Sequence, residues 1–256
     1  GWQVDEQLAQ SDCSKQAVAW FTNRFNAALT EIEDNFNNYR ISEALMVAYK
    51  LFWDDFSGWY LEMIKPAYGS PCDAKTMAET KQIFEKLMLL LHPFMPFVTE
   101  EIWQDLKSEN DVCSIAIARM PEVEKQANEK ILARFALAEE IITAIRNVRR
   151  EKNIAQKEAL TLNYIADENY PAEYEDVIVK MGNLKAINQV AEKDATAAAF
   201  IVKTTQYFVP MEGKIDVEAE LKKLNDELTY YEGFLASVMK KLSNERFVSS
   251  APAQVV

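Results

Sequence analysis

Apolar residues in the first half of the chain recur every three or four positions, which is the spacing of one face of an amphipathic helix. This pattern predicts helices over 13–34, 41–65, 74–91 and 99–106. We expect the second helix to end before Pro66, because the residue preceding a proline disfavours helical geometry. Pro93 and Pro96 force a break after the third helix. The first half therefore predicts a helical bundle.

The pattern changes after a long predicted helix over 125–152. Residues 159–165 alternate apolar and polar side chains, which is typical of a strand. A helical stripe follows at 174–181, with further strand-like segments at 185–190, 200–203 and 206–209. Strands that alternate with a helix indicate an α/β module. The predicted fold class is therefore mainly α with a small α/β module.

The last predicted helix carries apolar residues at alternating steps of four and three. They are Val217, Leu221, Leu224, Leu228, Tyr231, Leu235, Val238 and Leu242. An a/d seam sustained over several heptads is the requirement for a coiled coil. The predicted organisation is a helical domain over 1–154, an α/β module over 155–213 and the first helix of a coiled-coil arm over 214–256.

Charge and cysteine content narrow the class of protein. The 256 residues carry 28 Lys and Arg against 40 Asp and Glu, for a formal net charge of −12. Any contact with RNA must therefore come from a local basic face. Cys13, Cys72 and Cys113 lie far apart, so they predict neither a disulfide framework nor a zinc site. Such cysteines are typical of a reducing compartment, and we expect a cytoplasmic protein without a membrane span.

The sequence offers few residues for catalysis. The single histidine, His92, lies between Leu91 and Pro93 with no nucleophile motif near it. A structural role at the helix break is therefore favoured over a general base. Adjacent carboxylate pairs on helices point in different directions and indicate solvated surface. We predict no catalytic residue, no metal site and no cofactor site in this chain.

A basic stretch near the end of the long helix is the strongest candidate site. Arg146 lies within one helical turn of Arg149 and Arg150, and Lys152 and Asn153 come next. Guanidinium groups in a compact array suit phosphates and the edges of unstacked bases. The alternative is a solvated helix C-terminus, where basic residues oppose the helix dipole. Weaker candidates lie on the predicted coiled-coil helix, at Lys222, Lys223, Lys240 and Lys241.

Helix 41–65 is rich in aromatic residues, which could stack on bases. At helical spacing, such residues are more typical of a core. This set comprises Phe52, Trp53, Phe56, Trp59 and Tyr60.

Two long motifs stand in the first half of the chain. One is Trp53-x-x-Phe56-x-x-Trp59-Tyr60-x-Glu62-x-x-Lys65-Pro66, and the other runs from Leu90 to Trp103 through His92-Pro93-Phe94-Met95-Pro96. Both resemble the anticodon-binding helical domain of class I aminoacyl-tRNA synthetases for branched aliphatic amino acids. The Ile145-Arg146-Asn147-Val148-Arg149 motif and the heptad-bearing tail narrow the resemblance to the valyl-tRNA synthetase family.

The resemblance implies a C-terminal fragment whose full-length enzyme uses ATP and Mg²⁺ to attach valine to its tRNA. Motifs of the HIGH and KMSKS types, which carry class I catalysis, do not occur in the sequence. The fragment itself is expected to bind tRNA(Val) at the anticodon region and the elbow without catalysing a reaction. The family's preceding helix is expected upstream of Gly1, and the returning helix of the arm is expected beyond Val256.

Other interpretations stay open from the sequence. Within the family, the chain could belong to an isoleucyl- or leucyl-tRNA synthetase. Outside it, a helical scaffold could recruit a protein partner through the coiled coil, and a hydrolase acting through His92 is the least favoured interpretation. Without its returning helix, the apolar seam is expected to self-associate or to pack on the body of the chain.

Overall fold

The computed structural model describes residues 2–108, 111–123, 126–192, 197–211 and 217–243. By its contacts the chain divides into two compact units, residues 1–210 and 211–256, which are described separately. Helices predominate and a small mixed sheet accompanies them, as the sequence predicts. The finer division of the first unit into 1–154 and 155–213 stays a prediction.

Helix α1 (Asp12–Asn37) follows the prediction for residues 13–34. The hydroxyl oxygen of Ser11 accepts a hydrogen bond of 3.1 Å from the backbone N–H of Ser14, which satisfies one of the unpaired donors at the helix start. The predicted apolar stripe is buried at Phe21, Phe25, Leu29 and Ile32. This helix therefore presents a continuous apolar face to the rest of the first unit.

The second predicted helix forms in three successive parts. They are α2 (Ile41–Lys50), a π-helical stretch (Leu51–Tyr60) and α3 (Leu61–Ile64). In the π-helical stretch the buried residues are Leu51, Phe56 and Tyr60. Their spacing of five and four residues reflects the wider turn that i→i+5 hydrogen bonds produce.

The apolar stripe expected on this second helix is wrong at its start. The stripe is expected to begin with Ile41, Leu45 and Ala48, but Ile41 and Leu45 are 47% and 38% exposed; Ala48 is buried as expected, together with Ala44 outside the stripe. Small side chains allow α2 to approach α1 closely. Of the aromatic set on the π-helical stretch, Phe56 and Tyr60 are core, as expected, whereas Phe52 and Trp59 are half-buried and Trp53 is exposed.

Two further helices, α4 (Ala74–Leu91) and α5 (Pro96–Leu106), follow their predictions. Asp73 caps α4 by accepting a 2.7 Å hydrogen bond from the backbone N–H of Thr76. Two short parallel strands precede them, β1 (Val4–Asp5) and β2 (Cys72–Asp73), which the sequence pattern did not predict.

His92 lies at the break between α4 and α5. Its Nδ1 is 2.7 Å from the hydroxyl oxygen of Thr99, so the ring joins the two helices by a hydrogen bond. This contact is the structural role expected for His92.

Helix α6 (Glu129–Glu151) carries the basic stretch and packs on both α1 and the α/β module. The ring of Phe135 stacks on Trp20 with centroids 4.1 Å apart. The same ring meets Tyr174 edge-on at 5.3 Å. One aromatic side chain therefore links the bundle to the module that follows.

The α/β module is a four-stranded sheet with one crossing helix. Its elements are β3 (Leu160–Ile165), α7 (Glu175–Gly182), β4 (Leu184–Val190), β5 (Ala198–Val202) and β6 (Thr205–Val209). The strand order is β4-β3-β6-β5. Strands β3 and β4 are parallel because α7 returns the chain between them, and β6 pairs antiparallel with β3 and β5. Short 3-10 turns occur at Ile115–Ile117 and Ala172–Tyr174.

The second unit contains helix α8 (Val217–Leu242), in agreement with the predicted last helix. Large apolar side chains on its described part are exposed. They include Leu228, Tyr231, Phe234, Leu235 and Met239. The coiled-coil pairing itself stays a prediction.

Candidate nucleic-acid interface

The structure corrects the prediction for Arg149, which is only 3% exposed. Its Nη1 donates to the carbonyl oxygens of Ala155 (3.1 Å) and Glu158 (2.8 Å). Its Nη2 donates to those of Gly182 and Asn183, each at 3.0 Å. Burial lowers the pKa of this guanidinium. Because its donors are held inside the fold, Arg149 positions the loop after α6 and does not present its side chain to RNA.

Arg146, one turn before Arg149, is exposed and has a different environment. The central carbon of its guanidinium lies 5.3 Å from the centre of the Trp59 ring, a cation–π contact. Within the described part of the first unit, the structure gives this guanidinium no hydrogen bond or ion pair. The indole ring of Trp59 holds the guanidinium while its N–H donors stay available to a ligand.

Arg150 and Asn153 are also exposed at the end of α6. Nη2 of Arg150 donates a 3.2 Å hydrogen bond to the side chain of Asn147. Asn153 has a φ of 54°, the left-handed conformation that commonly ends a helix. Lys152, which is half-buried, precedes Asn153 and caps the C-terminal end of α6. Arg146, Arg150, Lys152 and Asn153 are therefore brought to one region, although their contacts with tRNA stay predictions.

The lysines predicted on the coiled-coil helix lie in the second unit. Lys240 is exposed on α8. The side chains of Lys222, Lys223 and Lys241 lie outside the described residues. Their role in binding tRNA stays a prediction.

Two contacts that the sequence did not reveal fix the α/β module on the bundle. Nζ of Lys180, on α7, donates to the carbonyl oxygens of Met63 (2.6 Å) and Lys65 (2.8 Å). On α6, Arg134 forms a two-pronged ion pair with Glu173, with N···O distances of 2.6 and 2.7 Å. That pair lowers the pKa of the Glu173 carboxyl. The Lys180 contacts hold the end of α3 against α7, and the Arg134 pair holds the turn before α7 against the start of α6.

Two carboxyl groups lie close together away from the basic stretch, Glu139 on α6 and Asp55 on the π-helical stretch. Burial, reinforced by the neighbouring charge of Asp55, raises the pKa of Glu139 to about 7. Asp55 itself forms an ion pair with Arg24, whose Nε lies 2.8 Å from the carboxylate oxygen. This cluster belongs to the packing of α1, the π-helical stretch and α6, so it acts on stability.

Sequence reasoning missed Trp59, Lys65 and Lys180 as neighbours of the basic stretch. Its helical spacing predicts a core position for Trp59, whereas the structure leaves the ring half-buried beneath Arg146. Lys65 and Lys180 are far from Arg146 in the chain, so local spacing carried no signal that they meet. Only the docking of α7 on α3 brings these side chains together.

No helix in the described part of the chain combines the length and apolar character that crossing a membrane requires. Among the same residues, no three His, Cys, Asp or Glu side chains are grouped so that they could hold a metal ion.

The bundle with its basic helix end matches a known family over much of the chain. Residues 19–165 match the family described as "Anticodon-binding domain of tRNA ligase". The chain therefore belongs to the anticodon-binding domain family of tRNA ligases. Residues 216–256 match a second family, described as "Valyl tRNA synthetase tRNA binding arm".

Individual relatives agree with both matches. The chain is 51% identical to a valine–tRNA ligase of Porphyromonas gingivalis and 48% identical to one of Parabacteroides distasonis, over 100% of its length. A valine–tRNA ligase of Listeria innocua is 35% identical over 100% of the chain. The chain spans 29% of the length of the first two relatives and 30% of the third.

Proposed function

We propose that this chain is the tRNA-recognition part of a valine–tRNA ligase, whose first unit binds the anticodon region and whose α8 helix belongs to an arm that reaches the tRNA elbow. The identity to valine–tRNA ligases over the whole chain carries this proposal. Two family matches, to an anticodon-binding domain and to a tRNA-binding arm, support the proposal that the two units bind different parts of the tRNA.

The chemistry of the basic helix end supports RNA as the ligand. Arg146 offers free N–H donors held against Trp59, and Arg150 is exposed four residues further on. Guanidinium forks bind phosphates and base edges, and exposed loop bases are what proteins read in RNA. Since the whole chain has a net charge of −12, we expect modest affinity that depends on these local groups.

The whole protein, in this proposal, works in the cytoplasm and joins valine to tRNA(Val) with ATP and Mg²⁺. The chain spans 29% of the length of the first two valine–tRNA ligases that it matches. In this proposal the activation of valine takes place in the remainder of the protein. This chain supplies binding and orientation of the tRNA.

The test compares two steps of the full-length protein after Arg146 and Arg150 are both changed to Ala. We expect charging of valine tRNA to fall while valine-dependent ATP–pyrophosphate exchange, which needs no tRNA, is retained. Arg40→Ala, which removes an exposed arginine paired with Asp34, is the control for loss of positive charge. Undiminished charging by the double variant would overturn this assignment of the interface.

A second candidate function, protein–protein interaction through α8, is favoured by one observation. Leu228 and Leu235 are 56% and 60% exposed at predicted seam positions. An apolar seam of this kind is usually covered by another helix. We propose that copies of this 256-residue chain associate through α8 when it is studied alone.

A further inference from the structure

A cavity of about 460 Å³ lies beside Arg146, where the end of α3 faces α7 and the loop after α6. Its lining includes Glu62, Lys65, Arg146, Gln156, Lys180 and Asn183. Pockets of this size accept whole small molecules, and a phosphate group alone would leave most of the space open. The cavity thus has room for a ligand of several functional groups.

The charges around this cavity favour an anion. Glu62 is already paired with Lys65, whose Nζ is 3.1 Å from the carboxylate. The ammonium of Lys180 donates to two backbone carbonyls and, among the described residues, is within ion-pair distance of no carboxylate; burial lowers its pKa, and the charge of Glu62 partly opposes that effect. Arg146 adds a second positive charge. The lining is therefore net positive in a chain whose net charge is strongly negative.

The Arg146 guanidinium is preorganised to bind a phosphate. Its contact with Trp59 at 5.3 Å limits the rotation of a long side chain, so less entropy is lost when a ligand binds. A guanidinium can donate two parallel hydrogen bonds to one phosphate. A phosphate at this position would contact the lining of the cavity.

Two side-chain amides line the cavity as well. Nδ2 of Asn183 donates at 2.7 Å to the backbone carbonyl of Gln156, which leaves the Asn183 side-chain oxygen as an acceptor. The Gln156 side chain is exposed and makes no hydrogen bond within the described residues, so it offers both a donor and an acceptor. Amide groups of this kind pair with the edges of nucleobases.

We propose that this cavity receives one unstacked nucleotide of the bound RNA, with its phosphate on Arg146 and its base edge on Gln156 and Asn183. The inference rests on the proposed function, which it deepens by naming a nucleotide-sized subsite. In this proposal Gln156 and Asn183 recognise the base. Lys180 holds α7 against α3 and also contributes positive charge near the phosphate.

The test follows nuclear magnetic resonance signals of the 256-residue chain during titration with the four common ribonucleoside 5′-monophosphates and, separately, with inorganic phosphate. We expect a nucleotide to shift the side-chain amide signals of Gln156 and Asn183 and the indole N–H signal of Trp59. Inorganic phosphate should shift the indole signal and leave the amide signals in place. A nucleotide that is preferred over the other three identifies the base.

Variants then separate the two halves of the subsite. Arg146→Ala should weaken binding of the preferred nucleotide about tenfold or more, because a charge-assisted contact is lost. Arg146→Lys keeps the charge and should restore only part of the affinity, since the planar fork is lost. Gln156→Ala should reduce the preference among bases and leave binding of inorganic phosphate unchanged. Arg40→Ala, remote from the cavity lining, should behave as the unmodified chain.

The outcomes distinguish this inference from the proposed function. If nucleotides shift none of the three signals, or shift them equally in Arg146→Ala, the cavity is not a nucleotide subsite, whatever happens with tRNA. If nucleotides bind as described but the chain does not retain valine tRNA in a filter assay, the subsite stands and the proposed function fails. If phosphate alone reproduces every shift, base recognition is refuted.

Discussion

Nζ of Lys180 donates a 2.6 Å hydrogen bond to the carbonyl oxygen of Met63. Met63 lies in the last turn of α3, where carbonyl groups have no partner within the helix. The lysine from α7 satisfies that carbonyl and the one of Lys65 together. One side chain thereby caps the C-terminal end of α3 and anchors the α/β module on the bundle.

Lys180→Met should lower the free energy of unfolding by about 1–3 kcal/mol, because two carbonyls lose a charged donor. Urea denaturation of the 256-residue chain measures this change. Lys185→Met, on the exposed part of β4, is the matched control and should stay within about 0.5 kcal/mol of the unmodified chain. Equal effects of the two variants would show that Lys180 does not anchor the module.

Substitution by Ala should lower the free energy of unfolding strongly at Arg149 and hardly at all at Arg150. Arg149→Ala removes a buried guanidinium that donates to four carbonyls, of which those of Ala155 and Asn183 keep a backbone donor, and should cost about 3 kcal/mol of stability. Arg150→Ala should change stability by less than about 0.5 kcal/mol, since its side chain is exposed. Denaturation curves of both variants check the contrast, which is contradicted if Arg149→Ala unfolds at the same urea concentration as Arg150→Ala.

Arg150→Ala should also change the salt dependence of tRNA binding. If Arg150 contacts a phosphate, its removal lowers the slope of log K against log salt by roughly 0.7–0.9. Filter binding of the chain to valine tRNA across a range of salt concentrations measures the slope. An unchanged slope, with Arg40→Ala as the reference variant, would place Arg150 outside the phosphate contacts.

Glu139 should make stability depend on pH in a defined window. Its pKa rises from 4.5 to about 7 on folding, so the folded chain binds more protons than the unfolded chain between these values. The associated stability is present below about pH 4.5 and is lost as pH rises through 7, at a cost on the order of 2–3 kcal/mol. Asp55 raises this pKa and Arg24 lowers it.

Glu139→Gln imitates the protonated carboxyl and tests that window. The variant should match the unmodified chain near pH 5 and exceed its stability near pH 8, because only the unmodified chain must then bury a charge. Urea denaturation at the two pH values gives the difference. The same stability difference at both values would contradict the role of Glu139 ionisation.

Leu228→Glu combined with Leu235→Glu should abolish association of the isolated chain, because both side chains lie on the predicted seam and are exposed on α8. Analytical ultracentrifugation over a range of concentrations measures the change. Tyr230→Glu, which lies off the seam on the same helix, should leave association in place. A chain that is monomeric at every concentration before any substitution would refute association through α8.

Helix positions were predictable from the sequence because amphipathic periodicity is a local property. Helices α1, α4 and α6 lie within a few residues of their predicted ranges, and the prolines at 93 and 96 mark the break that His92 spans. The strands of the module were also found, since each alternates or clusters apolar side chains. The short β1–β2 pair was missed, because two residues are too few to form a pattern.

The candidate site was less predictable, for two physical reasons. Charge alone does not separate an exposed guanidinium from a buried one, so Arg146 and Arg149 looked equivalent although only Arg149 is enclosed by carbonyls. The partners of Arg146 also come from distant parts of the chain. Trp59, Lys65 and Lys180 reach it only through tertiary packing.

The π-helical stretch Leu51–Tyr60 has a geometric consequence for this surface. Each residue of an ordinary helix advances the side-chain azimuth by about 100°, and the wider turns here advance it by less. If the same residues were wound as an ordinary α-helix, the angle between Phe56 and Trp59 around the helix axis would change, and the indole would turn away from Arg146. The π-helical winding therefore lets Phe56 pack on Phe21 of α1 while Trp59 faces Arg146.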